Sequence, residues 1–360
     1  MISFYVGRGR IQNLHHIPLL YPFWGNPLTD RTPYNKELFE KYSFDARLYR
    51  ITDRISEADF VLIPYRHNVL IPKYRNVYQS YVAEARAAGK PILLDGTADI
   101  EIPVPEEDVY VLRIGGYKSK NTGREIIIPP YADDLLESYC GGKLSLREKT
   151  EVPIVGFAGW SSLSGLARAR AVLRDIPLRV GAVFSSGIGA RRKGVLIRER
   201  ALNILRNAKG IQTNFLLRPS YSAHVDTAST DMARLRREFV ENILASDYVL
   251  DVRGDANAST RLFETLSLGR IPIIVDTNRN FPFEDEADYA SFSLRIDFRE
   301  LHHLPRVIAD FHARIPGEEF SRIQQRARDV YLSHFRVDAL TRHLMEEIRS
   351  CGNRLRGINC

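Results

Sequence analysis

The sequence predicts an α/β protein built from two Rossmann-like domains. Short apolar runs rich in Val, Ile and Leu alternate with stretches of helical period, which is typical of parallel sheets covered on both faces. The alternation stops at 138–151, where a Gly-Gly pair and a cluster of Lys, Glu and Arg carry no apolar period, and then starts again. With 360 residues, the chain is long enough for two domains of ordinary size.

The first domain is expected over residues 1–140. A helix is predicted at 74–88, because Gly89 is a suitable residue just past a helix end. Asp133 and Asp134 are interpreted as the solvated start of a further helix. The predicted strands are 2–6, 58–64, 91–95, 109–112 and 125–129.

The segment 138–151 is predicted to be a linker, and the second domain is expected over 151–330. Residues 331–360 should form a C-terminal helix and tail that return to the first domain. The predicted strands are 153–158, 178–183, 247–251 and 271–275, and the predicted helices are 195–207, 231–245, 259–268 and 318–349.

The composition excludes several classes of protein. The three cysteines are odd in number and have no CxxC spacing, which argues against a disulfide framework and a cysteine zinc site. No apolar run approaches the ~18 residues that would span a bilayer. The first residues read as a strand rather than as a secretory leader. We therefore expect a soluble, cytoplasmic protein.

The net charge of +7 is unevenly distributed. Residues 1–150 hold 20 basic and 19 acidic side chains, a net of +1, whereas residues 151–360 hold 31 and 25, a net of +6. This excess suits a phosphate-bearing ligand, or peripheral contact with an anionic membrane surface that carries a lipid-linked acceptor. The alternative is a bias toward arginine that has no functional meaning.

The loop after the first predicted strand begins like a dinucleotide-binding fingerprint. It reads Gly7-Arg8-Gly9-Arg10, but Gln12 stands where the third glycine belongs. No acidic residue follows about 20 residues later at the end of a second strand. Dinucleotide binding is therefore not expected.

The most informative stretch runs from Asp251 to Asp276 as strand, small-residue loop, helix and strand. Gly254 after Arg253 allows a tight turn beside a ligand. Ser259 or Thr260 is a good N-cap, and the free N–H groups of a helix start attract phosphate.

Two charged side chains in this helix support the same interpretation. The helix dipole disfavours a cation in the first turn, so Arg261 indicates an anion bound there. Glu264 is one turn along and offers acceptors for ribose hydroxyls. The alternative is an Arg261–Glu264 surface ion pair, worth only a few tenths of a kcal/mol.

The stretch resembles the signature of the exostosin family, glycosyltransferase family 47. The matching residues are Arg253-Gly254-Asp255, Ser259, Arg261, Glu264 and Gly269-Arg270-Ile271-Pro272. Further segments match in the same order at 58–65, 126–130, 157–159, 246–250 and 281–283, so the resemblance covers about residues 58–300. Arg270 replaces the cysteine common in animal and plant members, and their membrane anchor is absent. The resemblance is therefore to an anchor-less bacterial or viral member.

The resemblance implies a GT-B fold, in which two Rossmann-like domains with parallel sheets face each other across a cleft. It implies transfer of a hexose or pentose from a nucleotide sugar, UDP-linked, to a hydroxyl of a glycan or glycolipid, with inversion. It also implies independence from metals and other cofactors, and the sequence agrees because no Asp-x-Asp follows a predicted strand.

Sugar transfer builds charge on the leaving diphosphate, and this chemistry assigns donor-site roles to specific residues. The helix start at Ser259, Thr260 and Arg261 would hold the leaving phosphate, aided by Arg253 and Asn257. Glu264 would hold the ribose. The loop that follows Gly159, with Arg168 nearby, is expected to close over the diphosphate, although small residues there also suit a plain turn.

The general base should come from the first domain. Asp95 and His67 each follow a predicted strand, where ligands of parallel sheets bind. The structural alternatives are that Asp95 caps the next segment and that His67 is a surface loop residue. The aromatic and basic loop 8–34 suits an acceptor site, and equally suits an ordered surface loop.

Two other functions fit parts of the sequence. The clusters at 191–193 and 234–237 suit a nucleic-acid-binding protein, but no zinc-finger, RRM or basic-zipper pattern is present, and a solvated helix face also explains 234–237. We expect no nucleic acid partner. The other alternative is a sugar-nucleotide enzyme of the same fold, such as an epimerase.

Overall fold

The structure is a computed structural model that describes residues 1–7, 11–28, 33–99, 102–218 and 232–355. The Arg8-Gly9-Arg10 part of the dinucleotide-like loop lies outside these residues, as does Cys360.

The first half of the chain forms a six-stranded sheet from the described residues, in the order β2-β1-β3-β4-β5-β6. Every pairing in it is parallel. The apolar strands in the middle of the sheet are buried on both faces, as continuous apolar patterns require, whereas the edge strand β2 is mostly not buried. The strands are β1 Ile2–Tyr5, β2 Tyr49–Thr52, β3 Phe60–Leu62, β4 Ile92–Asp95, β5 Val109–Arg113 and β6 Glu125–Ile127.

Helices connect these strands. The predicted helix at 74–88 is observed, and Gly89 adopts the left-handed φ of 62° that a residue just past a helix end requires. The helices are α1 Tyr21–Trp24, α2 Pro33–Lys41, α3 His67–Lys73, α4 Arg75–Ala87 and α5 Leu135–Cys140.

The second half forms a five-stranded sheet from the described residues, in the order β11-β10-β9-β7-β8, again with parallel pairing throughout. The strands are β7 Ile154–Trp160, β8 Gln212–Arg218, β9 Tyr248–Asp251, β10 Ile271–Asp276 and β11 Leu294–Asp297. The helices are α6 Gly165–Phe184, α7 Ser186–Gly189, α8 Gly194–Arg206, α9 Met232–Leu244, α10 Thr260–Ser267, α11 Leu304–Arg314, α12 Gly317–Val330 and α13 Val337–Leu355. Two parallel sheets with helical connections confirm the predicted pair of Rossmann-like halves.

The prediction of a strand at 178–183 is wrong, because these residues lie inside α6. Leu178, Arg179 and Val180 alternate like a strand, yet they continue the helical period that begins near residue 166. The strands β2, β8 and β11 were not predicted. The sequence of β8 is mostly polar and its residues are mainly half-exposed, so an apolar run could not reveal it.

The single helix predicted at 318–349 is divided in two. One π-helical turn, Tyr331–Phe335, follows α12, and Arg336 is extended before α13 begins. Tyr331 and Phe335 are both buried, so the apolar pattern continues across the break and conceals it in the sequence.

The last helix packs against the first sheet. The Tyr110 hydroxyl of β5 donates a hydrogen bond to the carbonyl of Cys351 in α13 at 3.2 Å. A Cβ at Gly352 would lie 3.4 Å from the Phe60 ring of β3. The domain boundaries at 140, 151 and 330 stay a prediction.

Asp134 ties the C-terminal helices to the first half. Its carboxylate caps α5 by accepting from the Glu137 amide, and it pairs with both terminal nitrogens of Arg328 on α12 at 2.6 and 2.9 Å. Asp134 is fully buried. The predicted helix start is therefore present, but the expectation that Asp134 is solvated is wrong.

The loop after β5 joins the two halves. The Lys118 amide donates to the Asn278 carbonyl at 2.9 Å, and the Asn280 amide donates to the Gly116 carbonyl at 3.0 Å. A Cβ at Gly115 would lie 2.6 Å from the Asn257 carbonyl oxygen, so only glycine allows this approach.

Among the described residues, no helix combines the length and the apolar character that crossing a membrane requires.

Candidate active site

The carboxyl ends of β7, β9 and β10 meet at one edge of the second sheet, because these strands are parallel neighbours. Ligands of open parallel sheets bind at this edge. The loop after β9 contains most of the predicted donor residues, and the loop after β5 of the first half lies against it.

A cavity of about 560 Å³ opens beside this edge. Tyr117 contributes from the first half, and the remaining lining comes from the second half, so the cavity lies between the two sheets. Its lining includes Tyr117, Ala167, Arg170, Ala171, Arg174, Asp175, Leu178, Arg191, Lys193, Gly194, Arg253 and Asp255. The volume is within the range of small-molecule sites.

The cavity is strongly basic. Its cations are Arg170, Arg174, Arg191, Lys193 and Arg253, against the carboxylates Asp175 and Asp255. The Asp175 charge is already balanced. Although burial alone would raise its pKa, hydrogen bonds from Arg192 and Arg179 lower the pKa of the Asp175 carboxyl overall. An anionic ligand is therefore the natural occupant.

Arg253 forms part of the cavity wall and organises its surroundings. Its guanidinium donates to the carbonyls of Ala190, at 3.1 Å, and of Arg192. It also lies 5.8 Å from the centre of the Tyr117 ring. Arg253 is buried, so it fixes the segment before α8 as well as supplying positive charge.

Glycines allow α8 to begin directly against the loop after β9. A Cβ at Gly194 would lie 2.6 Å from the Arg253 carbonyl oxygen and would also collide with the carbonyl of Gly254. A Cβ at Gly254 would meet nothing within 4 Å. Lys193 is the N-cap of α8 and its side chain makes no capping bond.

The start of α10 is occupied by contacts within the protein. Ser259 is its N-cap but its side chain makes no capping bond, and Thr260 is its first residue. Arg261 lies over the Phe157 ring at 4.3 Å and donates to the Ala158 carbonyl at 2.8 Å.

Glycine at position 159 makes room for that arginine. Gly159 has a φ of 140°, and a Cβ there would lie 3.0 Å from the nearest Arg261 nitrogen. The closeness of the Arg261 side chain explains why a glycine stands near the end of β7.

Glu264 is buried and pairs with Arg236 of α9 at 2.6 Å rather than with Arg261. The alternative interpretation of an Arg261–Glu264 surface pair is therefore wrong. The proposal that Glu264 binds a ribose stays a prediction.

Asn257 and Arg168 are also engaged. The Asn257 amide donates to the carbonyls of Gly116, at 2.8 Å, and Thr277, at 3.3 Å, so it links the halves. Arg168 lies on α6 and pairs with Glu199 at 2.6 Å.

Arg198 is an organising residue that the sequence analysis missed. From α8 it donates to the carbonyl of Trp160 at 2.7 Å and to that of Arg253 at 3.0 Å, so it holds the ends of β7 and β9 together. A buried pair, Asp251 with Arg279 at 3.0 Å, does the same for β9 and the loop after β10. The sequence offered one signal for Arg198, because an arginine on the apolar face of a helix indicates a buried polar role.

Asp95 lies at the carboxyl end of β4 and is buried. Its Oδ1 accepts from the amide of Thr97 at 2.8 Å and from the Thr97 hydroxyl at 2.5 Å, so Asp95 does cap the following segment. Burial raises the pKa of the Asp95 carboxyl, with Arg66 and Thr97 opposing that rise.

His67 is the first residue of α3 and is buried, so the alternative of a surface loop residue is wrong. Burial, together with the charge of Arg113, lowers the pKa of His67 to about 4. Neither His67 nor Asp95 lines the basic cavity.

One group among the described residues offers metal-type ligands. Glu286, His334 and His343 place ligand atoms within 4.8 Å of one another. The two imidazole rings are stacked at 4.3 Å and nearly parallel, so their in-plane lone pairs do not converge. His343 contacts the Glu286 carboxylate through Nδ1 and the Ser333 carbonyl through Nε2, so both of its ring nitrogens are engaged within the protein.

Part of the chain is similar in sequence to known proteins. Residues 179–311 match the family model described as the Exostosin GT47 domain. A probable glycosyltransferase of Arabidopsis thaliana is 26% identical over 93 residues, which is 26% of this chain and only 19% of the relative.

Solved glycosyltransferases are also similar. The enzyme from Rickettsia africae ESF-5 is 11% identical, with 91% of this chain and 83% of that chain covered at a TM-score of 0.37. TarM is 8% identical, with 82% and 54% covered at a TM-score of 0.38.

Two Rossmann-like halves with a cavity between them form the arrangement of the GT-B class. The match to the exostosin domain, glycosyltransferase family 47, extends over residues 179–311, about a third of the chain.

Proposed function

We propose that this protein is a glycosyltransferase that moves a sugar from a nucleoside-diphosphate sugar, UDP-linked, to a hydroxyl of a glycan or glycolipid. The basic cavity between the two halves carries the proposal. It lies at the carboxyl ends of the parallel strands, where a nucleotide is expected, and its exposed cations suit a diphosphate.

The residues supply the charge that the reaction needs. The bond between C1 of the sugar and the diphosphate oxygen breaks, and its electron pair remains on the diphosphate. Arg170, Arg174 and Lys193 would stabilise this developing charge, since preorganised cations in a closed site act most strongly on it. The Arg253 and Arg261 side chains, with Asn257, Ser259 and Thr260, would support the loop that carries the donor.

The acceptor oxygen forms the new bond to C1 while its proton passes to a base, with inversion at C1. Of the two predicted bases, Asp95 suits this role better, because a raised carboxyl pKa is closer to neutral pH. A histidine with a pKa of about 4 is a weak base.

Binding of the donor is testable without knowing the acceptor. A ligand that binds only the folded state raises the melting temperature by mass action. We expect UDP or a UDP-sugar to raise the Tm more than uridine alone, because the cavity should hold the diphosphate. Equal shifts for uridine and UDP would contradict the proposal.

Arginines of the cavity provide the matched variants. Arg174→Ala should lower kcat/KM by about 100-fold, the scale seen when one charge partner of the transition state is lost. Arg306→Ala is the control, because Arg306 is exposed on α11 and pairs only weakly with Asp310. Equal activity of the two variants would remove Arg174 from the site.

Metal independence is a separate part of the proposal. We expect transfer to continue at its full rate in excess EDTA, because protein cations would balance the diphosphate. Loss of transfer in EDTA, with recovery on adding Mg²⁺ or Mn²⁺, would contradict it.

A further inference from the structure

Helix α6 presents an apolar stripe to the outside of the protein. The side chains of Leu166, Leu173, Ile176 and Val180 are 76%, 66%, 50% and 59% exposed. They are spaced by seven, three and four residues, so they share one face of the helix, within a sector of about 80°.

The opposite face of α6 is the one that packs on the protein. Ala171 and Asp175 are buried there, and Leu178 is half-buried. An amphipathic surface helix normally turns its apolar side inward. Single exposed apolar residues are ordinary, but a continuous stripe marks a site of interaction.

Arginines border the stripe on both sides. Arg170 and Arg174 lie along one edge, and Arg168 and Arg179 lie beyond the other. Helix α6 carries these four arginines against one acidic residue, Asp175. An apolar stripe between rows of cations is the pattern of helices that lie in the interface of a membrane.

We propose that α6 is a membrane-docking helix that lies flat on a bilayer containing anionic lipids. The apolar stripe would enter the boundary between headgroups and acyl chains. Arg168 and Arg179, which stay half-exposed beside their partners Glu199 and Asp175, would contact lipid phosphates. A twofold contact between two copies through α6 is disfavoured, because it would bring the same arginines together.

The location of the helix connects docking to transfer. Arg170, Ala171 and Arg174 line the basic cavity from the face of α6 next to the stripe. A docked enzyme would therefore hold its cavity beside the lipid surface. Docking would bring the enzyme to a membrane that carries its glycolipid acceptor, so this inference rests on the proposed function. Docking itself can be measured without any sugar transfer.

The test is co-sedimentation of the full chain with vesicles, without a nucleotide sugar. We expect binding to vesicles of phosphatidylcholine mixed with phosphatidylglycerol and much weaker binding to phosphatidylcholine alone. Leu173→Asp and Leu166→Asp should each lower the bound fraction at least about tenfold, because each removes a side chain that becomes buried in the bilayer.

The control is Val152→Asp, which changes an exposed apolar residue outside α6 and should bind like the wild type. The stripe variants should keep wild-type transfer to a water-soluble acceptor, and this separates docking from catalysis. Failure of the wild type to bind anionic vesicles, or wild-type binding by both stripe variants, would overturn the proposal. So would a dimer that Leu173→Asp converts to a monomer in the absence of vesicle binding.

Discussion

At the scale of single residues, charged side chains that the sequence assigns to ligand contact are found holding the protein together. Glu264 accepts from Arg236, and Arg261 lies on Phe157 and donates to a backbone carbonyl. Sequence spacing could indicate that these residues meet at one edge of the sheet. It could not indicate Arg236, because that partner comes from α9 and meets Glu264 only in the folded protein.

The role of Glu264 can be tested by a substitution that preserves its shape. Glu264→Gln keeps the acceptor oxygen for Arg236 but removes the charge. If Glu264 holds the ribose, the variant should stay folded but bind the donor more weakly. The KM for the donor should then rise, and the rate of transfer should fall about 100-fold. Circular dichroism and donor titration provide the measurement.

The matched comparison is Arg236→Ala, which leaves Glu264 buried without its main cation. This change should lower stability more than Glu264→Gln does, because an unpaired buried charge is costly. If Glu264→Gln keeps full donor affinity, the pair is structural only.

The pH dependence of Asp95 follows from its raised pKa. Because the folded-state pKa lies above the unfolded value, the protonated carboxyl favours folding, and that contribution is lost as pH rises through the folded pKa. Asp95→Asn should therefore flatten this part of the stability profile. If Asp95 is also the base, the variant should lose the acidic limb of the pH–rate profile together with most of the transfer.

Thermal melts across pH and initial rates across the same range separate these two effects. Wild-type rates with an unchanged acidic limb in Asp95→Asn would show that Asp95 only caps its own loop.

At the scale of elements, the cavity depends on how closely α8 approaches the loop after β9. Two glycines stand at this contact, but only one of them is sterically required. Gly194→Ala should destabilise the protein by about 1–3 kcal/mol, because its Cβ would collide with two backbone carbonyls.

Gly254→Ala is the matched change, since its Cβ would meet nothing within 4 Å. It should leave the melting temperature nearly unchanged. Equal stabilities of the two variants would contradict the close contact between α8 and the loop.

Elements with apolar runs were predictable, and elements with polar or interrupted patterns were not. The strands β1, β3, β4 and β9 follow directly from short, mostly apolar runs that are buried. Helix α6 was partly mistaken for a strand because Leu178, Arg179 and Val180 alternate like a strand over a short stretch. The cations of α6 and of the segment before α8 could not be assigned to one cavity until the chain was folded.

At the scale of the whole molecule, the two halves are joined by backbone contacts of the loop after β5 and by the C-terminal helices. The buried pair of Asp134 with Arg328 links α12 to the first half. Its partners are about 190 residues apart along the chain, so neither sequence position indicates the other.

Breaking that pair should weaken the association of the halves. Asp134→Ala leaves a buried arginine unpaired and also removes the cap of α5, so we expect a loss of about 3–5 kcal/mol in the free energy of unfolding. Urea denaturation measures this loss. The control is Asp310→Ala, which removes an exposed carboxylate on α11 and should change stability little.

The central claim is that a nucleoside diphosphate binds in the basic cavity between the two halves. The most direct measurement is a crystal structure of the protein with UDP. The account predicts diphosphate oxygens within hydrogen-bonding distance, about 3 Å, of cavity cations such as Arg170, Arg174 or Lys193. UDP bound elsewhere with this cavity empty would contradict the account.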